Sequence, residues 1–262
     1  MKIRLMQYNI FGGFYTSNEP YTYEPKREKA ALEVIKQEDP DILTICEARF
    51  NSPNKFGILR DYKKIFGYPY CYLTSYKERS GMGIFSKFPF NVKDYAYGLN
   101  PLLRVEFKID KKLIMLDLVH PHPTLGEDAR NKFITHVLSG LKKPYILMGD
   151  FNAISPEDKY DRKKLLEGFS RFDSNYKEVV EDFLKRKSIR RVLDSGLKDT
   201  LNSQKWKFTV PTDMLNKNKD SGLRLDFIFC SNDFKIIDSG IIVNEFTNVA
   251  SDHYPVFAIL EI

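Results

Sequence analysis

Apolar and polar positions change period repeatedly along the chain, and the changes mark its elements. Ile3, Leu5, Tyr8 and Ile10 read as a strand ending at Asn9-Ile10-Phe11-Gly12-Gly13. Pro25 suits a first helical position, Ala30, Ala31, Val34 and Ile35 follow at helical spacing, and Asp39-Pro40 stops the helix. Asp41-Ile42-Leu43-Thr44-Ile45-Cys46 is a second strand with Glu47 at its end, and Phe56 to Phe66 reads as an amphipathic helix. Short β-rich runs come next: Tyr70 to Tyr76, Gly81 to Ser86, Leu102 to Ile109 and Leu113 to Val119, the last two a hairpin turning at Asp110-Lys111. Val119-His120-Pro121-His122-Pro123 ends that run, because its prolines cannot donate to a ladder. A helix over about Asp128 to Leu138 leads into the apolar strand Tyr145-Ile146-Leu147-Met148.

Gly149-Asp150-Phe151-Asn152 follows that strand at once. If the chain stays extended, Asp150 and Asn152 point the same way, although Gly, Asp and Asn are also turn formers. Residues Ser155 to Leu193 are charged and mostly helical in pattern, with Tyr176, Val179, Val180 and Phe183 apolar at helical spacing. Strands return at Trp206 to Val210, Leu225 to Cys230, Phe234 to Asp238 and Ile241 to Val243. Ser251-Asp252-His253-Tyr254-Pro255 precedes a last strand, Val256 to Ile262. With no fixed-period repeat and no Gly/Ser- or Pro-rich linker, residues 1–262 read as a single domain of α/β or α+β class.

Composition narrows this only a little. Hydrophobic residues are 42% and charged residues 29%, as in soluble globular proteins. No apolar run is long enough for stable membrane insertion, and Met1 to Gln7 lacks the pattern of a cleaved signal. Cys46, Cys71 and Cys230 are far apart and odd in number, which suits neither a disulfide framework nor a zinc site and points to a reducing, cytoplasmic setting. The formal charge of +6 favours anionic partners without selecting among phosphate esters, nucleic acid and acidic lipid.

Candidate chemistry gathers where strands end. Asn9, Glu47, His120, Asp150 with Asn152, and Asp252 with His253 each sit beside an apolar β run. Singly, each has a plain explanation as turn, cap, surface ion pair or core histidine. Jointly they offer hard oxygen ligands suited to Mg²⁺ and a histidine beside aspartate suited to acid–base work.

This set resembles the endonuclease/exonuclease/phosphatase (DNase I-like) superfamily of metal-dependent phosphoesterases. The likeness rests on Gln7-Tyr8-Asn9-Ile10, Ile45-Cys46-Glu47-Ala48, Gly81 to Lys87, His120, Gly149-Asp150-Phe151-Asn152, Arg224-Leu225-Asp226-Phe227-Ile228 and Ser251-Asp252-His253, in order along nearly the whole chain. It implies a four-layer α/β/β/α sandwich of two packed mixed β-sheets flanked by helices, with a metal-bearing cleft at one end. It further implies Glu47 and Asn9 as metal ligands, with Mg²⁺ as cofactor and Mn²⁺ as a possible substitute. Asp150 resembles the group that positions or deprotonates the attacking water, and Asn152 the group that orients nucleophile and phosphate. Asp252 and His253 resemble the final pair, Asp226 the carboxylate that orients the histidine, and His120 a phosphate contact. Either Asp150 or His253 fits the role of base. The expected activity is hydrolysis of phosphate esters, as a phosphodiesterase using metal-assisted in-line water attack.

Two alternatives stand beside it: a DNA/RNA nuclease of the DNA-repair type, and a non-catalytic binding scaffold. Trp206 alone, in place of the Trp-rich segment of abasic-site enzymes, speaks against the first; the filled ligand set speaks against the second. The basic cluster Lys185-Arg186-Lys187 with Arg190-Arg191 is either a nucleic-acid track or a solvated helix face. Tyr15 and Arg79 are expected substrate contacts near the cleft.

Overall fold

The protein is seen here as a computed structural model that describes residues 1–16, 22–49, 61–74, 81–96, 101–171, 173–201, 207–215 and 221–262. The first half forms β1 (Lys2–Asn9), α1 (Pro25–Glu38), β2 (Ile42–Ala48), α2 (Tyr62–Phe66), β3 (Tyr70–Leu73), β4 (Gly81–Ser86), β5 (Phe90–Ala96), β6 (Leu102–Ile109) and β7 (Lys112–Val119). The second forms α3 (Glu127–Ser139), β8 (Tyr145–Asp150), α4 (Arg162–Phe169), α5 (Tyr176–Leu184), α6 (Lys187–Asp194), β9 (Lys198–Asp199), β10 (Asp226–Cys230), β11 (Lys235–Ile241), α7 (Thr247–Ala250) and β12 (Val256–Glu261).

These strands make two mixed six-stranded sheets, ordered β11-β12-β1-β2-β4-β3 and β5-β6-β7-β8-β10-β9. Each sheet has one parallel pair, β1 with β2 and β7 with β8, joined through α1 and α3 respectively. The sheets pack face to face over Ile3, Leu5, Ile84, Val105, Phe107, Leu116, Ile146, Ile228 and Leu260. Met6, Tyr8, Leu43 and Ile45 face the opposite way, onto α1 and α2, while Tyr145, Leu147 and Phe229 face α3 and α6. Helix, sheet, sheet and helix are therefore the four layers. Each large side chain buried in this way contributes about 1.5–3 kcal/mol.

Local chemistry explains most boundaries. Pro25 opens α1, and Asp39 closes it in left-handed conformation, its N–H bonded to the Ile35 carbonyl. Asp110 and Lys111 both have positive φ, 46° and 64°, as a two-residue hairpin turn requires.

Several expectations need correction. Phe90–Ala96 forms a strand that the pattern does not announce, because it is an edge strand carrying polar residues. Phe234 to Asp238 and Ile241 to Val243 are not separate strands: β11 is continuous through a bulge between Ile236 and Asp238, which breaks the alternation. Trp206 to Val210 forms no strand among its described residues; Val210 makes an isolated bridge to Leu223. Of the helix expected over Phe56 to Phe66, residues 61–66 are described and Tyr62–Phe66 is helical, with Asp61 as its N-cap; the strand expected from Tyr70 ends at Leu73. No helix of the described residues is long and apolar enough to cross a membrane.

Candidate metal-dependent active site

Strand alternation carries a polar set into the space between the sheets. Ile3, Leu5, Gln7 and Asn9 share one face of β1; Ile114, Leu116 and Leu118 lead to His120; Ile146 and Met148 lead to Asp150; Cys230 and Ile228 lead back to Asp226. At one end of the sandwich the apolar inner face thus gives way to Asn9, His120, Asp150 and Asp226. Glu47 has the wrong parity for this face. A register shift between Ile45 and Ala48, with Glu47 at φ 57°, turns its side chain toward the others.

The cluster is knit by short contacts. Asn9 Nδ2 donates to Glu47 Oε1 and to Asp150 Oδ2, both at 3.0 Å. His120 Nε2 lies 3.7 Å from each of the same two carboxylates. Asp226 pairs across the ladder with Asp150, and its Oδ2 lies 2.7 Å from His253 Nδ1, while His253 Nε2 lies 3.9 Å from Asp150 Oδ2. Ser251 Oγ donates to the Asn9 carbonyl at 2.7 Å, which ties the loop bearing His253 to the end of β1.

Asn152 sits beside this group differently from the extended reading. It turns into left-handed conformation at φ 47°, its N–H donates to Asp150 Oδ1 at 2.9 Å, and its side chain donates to the Pro121 carbonyl at 2.9 Å. The strand ends at Asp150, so alternation no longer sets the direction of Asn152.

Burial and charge act together on the titrating groups. Burial, then the neighbouring Asp226, pushes the Asp150 carboxyl up. Burial also pushes Asp252 up, to about 6, against the pull of His253. Burial works against charge on His253, but Asp226, Asp252 and Asp150 outweigh it and hold the imidazolium well above the usual histidine range.

The donor set fits a divalent cation. Glu47, His120 and Asp150 offer ligand atoms within 4.8 Å of one another, as do Asp150, Asp226 and His253. Among the described residues, the ion-pair contacts of Glu47, Asp150 and Asp226 are with histidines and not with lysine or arginine. Asp226 Oδ1 and both ring nitrogens of His120 are buried without a hydrogen-bond partner among the described residues. Asn9 presents its amino group to the carboxylates and its Oδ1 to the Phe11 N–H, so ligation through oxygen requires the amide to turn about.

Not every expected residue joins this set. Tyr15 is 8% exposed, packs 5.6 Å from the Tyr23 ring and lies beneath the Arg49 guanidinium. Arg79 lies outside the described residues. Asp252 flanks the cluster, its carbonyl accepting from the Thr212 N–H at 3.0 Å.

Two arginines escape the sequence reading. Arg27, 4% exposed, donates to the carbonyls of Ile10, Phe11, Tyr15 and Ala250 and to Glu24. Arg224 grips Asp158 through two bonds, at 2.9 and 2.8 Å, and lies 2.7 Å from Asp199, two positions before Asp226. In the sequence, Arg27 lies among Lys26 and Lys29 and looks solvated; only the Arg-Leu-Asp run hinted at Arg224.

A family model described as "Endonuclease/Exonuclease/phosphatase family" matches residues 6–253. No curated protein matches the chain by sequence. An AP endonuclease from Archaeoglobus fulgidus superposes with a TM-score of 0.68 at 17% identity, over 99% of this chain and 100% of that one. A mannosyl-6-phosphatase of Bacteroides thetaiotaomicron VPI-5482 gives 0.64 at 17% identity, over 99% and 100%. A humanized D. rerio TDP2 gives 0.64 at 14%, over 100% and 99%. At these identities the likeness establishes a shared fold, which hosts more than one activity.

Proposed function

The chain belongs to the Endonuclease/Exonuclease/phosphatase family, and on that premise we propose that it is a Mg²⁺-dependent hydrolase of phosphate esters, acting as a phosphodiesterase. The observation that carries this reading is the convergence of Asn9 and Glu47 from one sheet with Asp150 and Asp226 from the other, bridged by Asn9 and closed by His253.

A cation held by Glu47 with Asn9 would neutralise charge on the phosphoryl and leaving oxygens. The chain's own groups supply the rest. Asp226 holds Nδ1 of His253, leaving Nε2 to donate to a phosphoryl oxygen. Because the surrounding carboxylates favour the imidazolium, His253 is the donor and Asp150 takes the proton of the attacking water. The Asn152 N–H fixes Oδ1 of Asp150 for that task.

Three of the five residues of the basic cluster are engaged within the protein, while Arg190 and Arg191 are exposed. Lys185 contacts Asp182 and Asp128, Lys187 contacts Asp128, and Arg186 bonds to the carbonyls of Pro156 and Asp158. Its helix α6 packs on the outer face of the second sheet through Ile189 and Val192, away from the inter-sheet site.

The test is a metal-dependence panel of bis-p-nitrophenyl phosphate, inositol phosphates, phospholipids, RNA, and normal and abasic DNA. Glu47→Ala, Asp150→Ala and His253→Ala should each lower turnover by at least about 10²-fold with the melting temperature retained. Wild-type-like turnover by the Asp150 and His253 variants would contradict the assignment. Absence of any metal-dependent, Asp150-dependent hydrolysis would favour a binding scaffold.

A further inference from the structure

We propose that His120 is a ligand of the site's cation, completing a nitrogen-bearing set with Glu47 and Asp150, and that this set prefers a borderline transition metal such as Mn²⁺ or Co²⁺ over Mg²⁺. The inference rests on the metal-dependent reading above; within it, His120 moves from the phosphate to the cation, Asp150 turns Oδ2 to the cation and keeps Oδ1 as base, and the preferred cation is no longer Mg²⁺.

His120 is 4% exposed, and neither ring nitrogen has a hydrogen-bond partner among the described residues. An imidazole always carries at least one N–H donor, and when neutral also one acceptor, so such burial is unfavourable unless something meets the ring. His253 presents the contrast, since Asp226 already holds its Nδ1.

Distance indicates what meets His120. Its Nε2 is 3.7 Å from Glu47 Oε1 and 3.7 Å from Asp150 Oδ2. That is too long for hydrogen bonds. It suits ligands of one ion, whose bonds of roughly 2.0–2.2 Å leave neighbouring donor atoms about 3–4 Å apart.

Charge gives the same answer. An anionic phosphoryl oxygen placed at Nε2 would also face Glu47 and Asp150, whereas a cation is attracted by both. Carboxylate and amide oxygens alone suit Mg²⁺, and an imidazole nitrogen shifts the preference toward Mn²⁺, Co²⁺ or Zn²⁺.

The experiment loads the full chain with Mn²⁺ and looks for ¹⁴N coupling by pulsed electron paramagnetic resonance. Wild type and His253→Gln should show the coupling, and His120→Gln should lose it. Calorimetry should find Co²⁺ binding weakened by about tenfold or more in His120→Gln, and Mg²⁺ binding by less than about threefold. Should His120→Gln fail to fold, wild type labelled with ¹⁵N-histidine can be titrated with Zn²⁺. The chain has 4 histidines, and His122→Gln, His136→Gln and His253→Gln identify three of them by difference, which leaves His120. A coordination shift at His120 supports the proposal, and its absence contradicts it. Bound Mn²⁺ without nitrogen coupling, or coupling that survives in His120→Gln, overturns the proposal and leaves the hydrolase reading standing. Failure of the wild type to bind any of these cations removes both.

Discussion

Asp226 and Asp150 face each other across the β10–β8 ladder, a placement that like charges disfavour. His253 makes it tolerable by bonding to Asp226 and lying near Asp150. Asp226→Asn should therefore lower kcat by about 10²-fold with little change in KM. The same substitution removes the leading charge that holds the imidazolium, so the His253 pKa, followed by NMR, should fall. Gly149 is a second decisive residue. At φ 148°, a Cβ there would stand 2.0 Å from the Val119 carbonyl oxygen, so Gly149→Ala should cost about 3 kcal/mol in urea unfolding. Both residues were legible in part: the Gly-Asp pair marks the strand end, but nothing local says which backbone it abuts.

Elements matter through the ends they present. The connection from β1 to α1 carries left-handed backbone at Phe11, Gly12, Gly13 and Phe14. Arg27, from the first turns of α1, grips that connection and the Ala250 carbonyl at the end of α7, just before Ser251. Arg27→Met should destabilise the fold by about 3–5 kcal/mol in urea unfolding, because buried carbonyls and Glu24 lose a charged donor. Arg27→Lys should recover only part, since one ammonium cannot reach the positions of a planar fork. The periodicity predicts α1 well, yet it leaves Arg27 on an unremarked turn. Burial of that side chain depends on segments more than 200 positions away, with Ala250 at a separation of 223.

For the whole molecule, the site is the place where two sheets bring buried carboxylates together. Without a cation this arrangement opposes folding. Burial and Asp226 hold the Asp150 carboxyl above its usual range, so its contribution favours the metal-free fold as pH drops from neutral toward the usual carboxylate range. Asp150→Asn should raise metal-free stability by about 1–2 kcal/mol and abolish stabilisation by Mn²⁺. In the wild type, Mn²⁺ at a hundred times its Kd should add about 2.7 kcal/mol. Thermal melts with EDTA and with added metal measure both effects.

The sequence by itself determined the run of strands and helices, the α/β class, and which polar residues stand at strand ends. Those are local matters: period, prolines, glycines and turn formers act within a few positions. It also carried the family resemblance, because short motifs keep their order along the chain. Only the tertiary structure decided how these ends meet. Two parallel pairs in separate sheets aim Asn9, Glu47, His120 and Asp150 at one point. A bulge reverses Glu47, and a left-handed turn takes Asn152 off the strand. These outcomes depend on sheet pairing and packing between residues 31 to 141 positions apart, which no local period encodes.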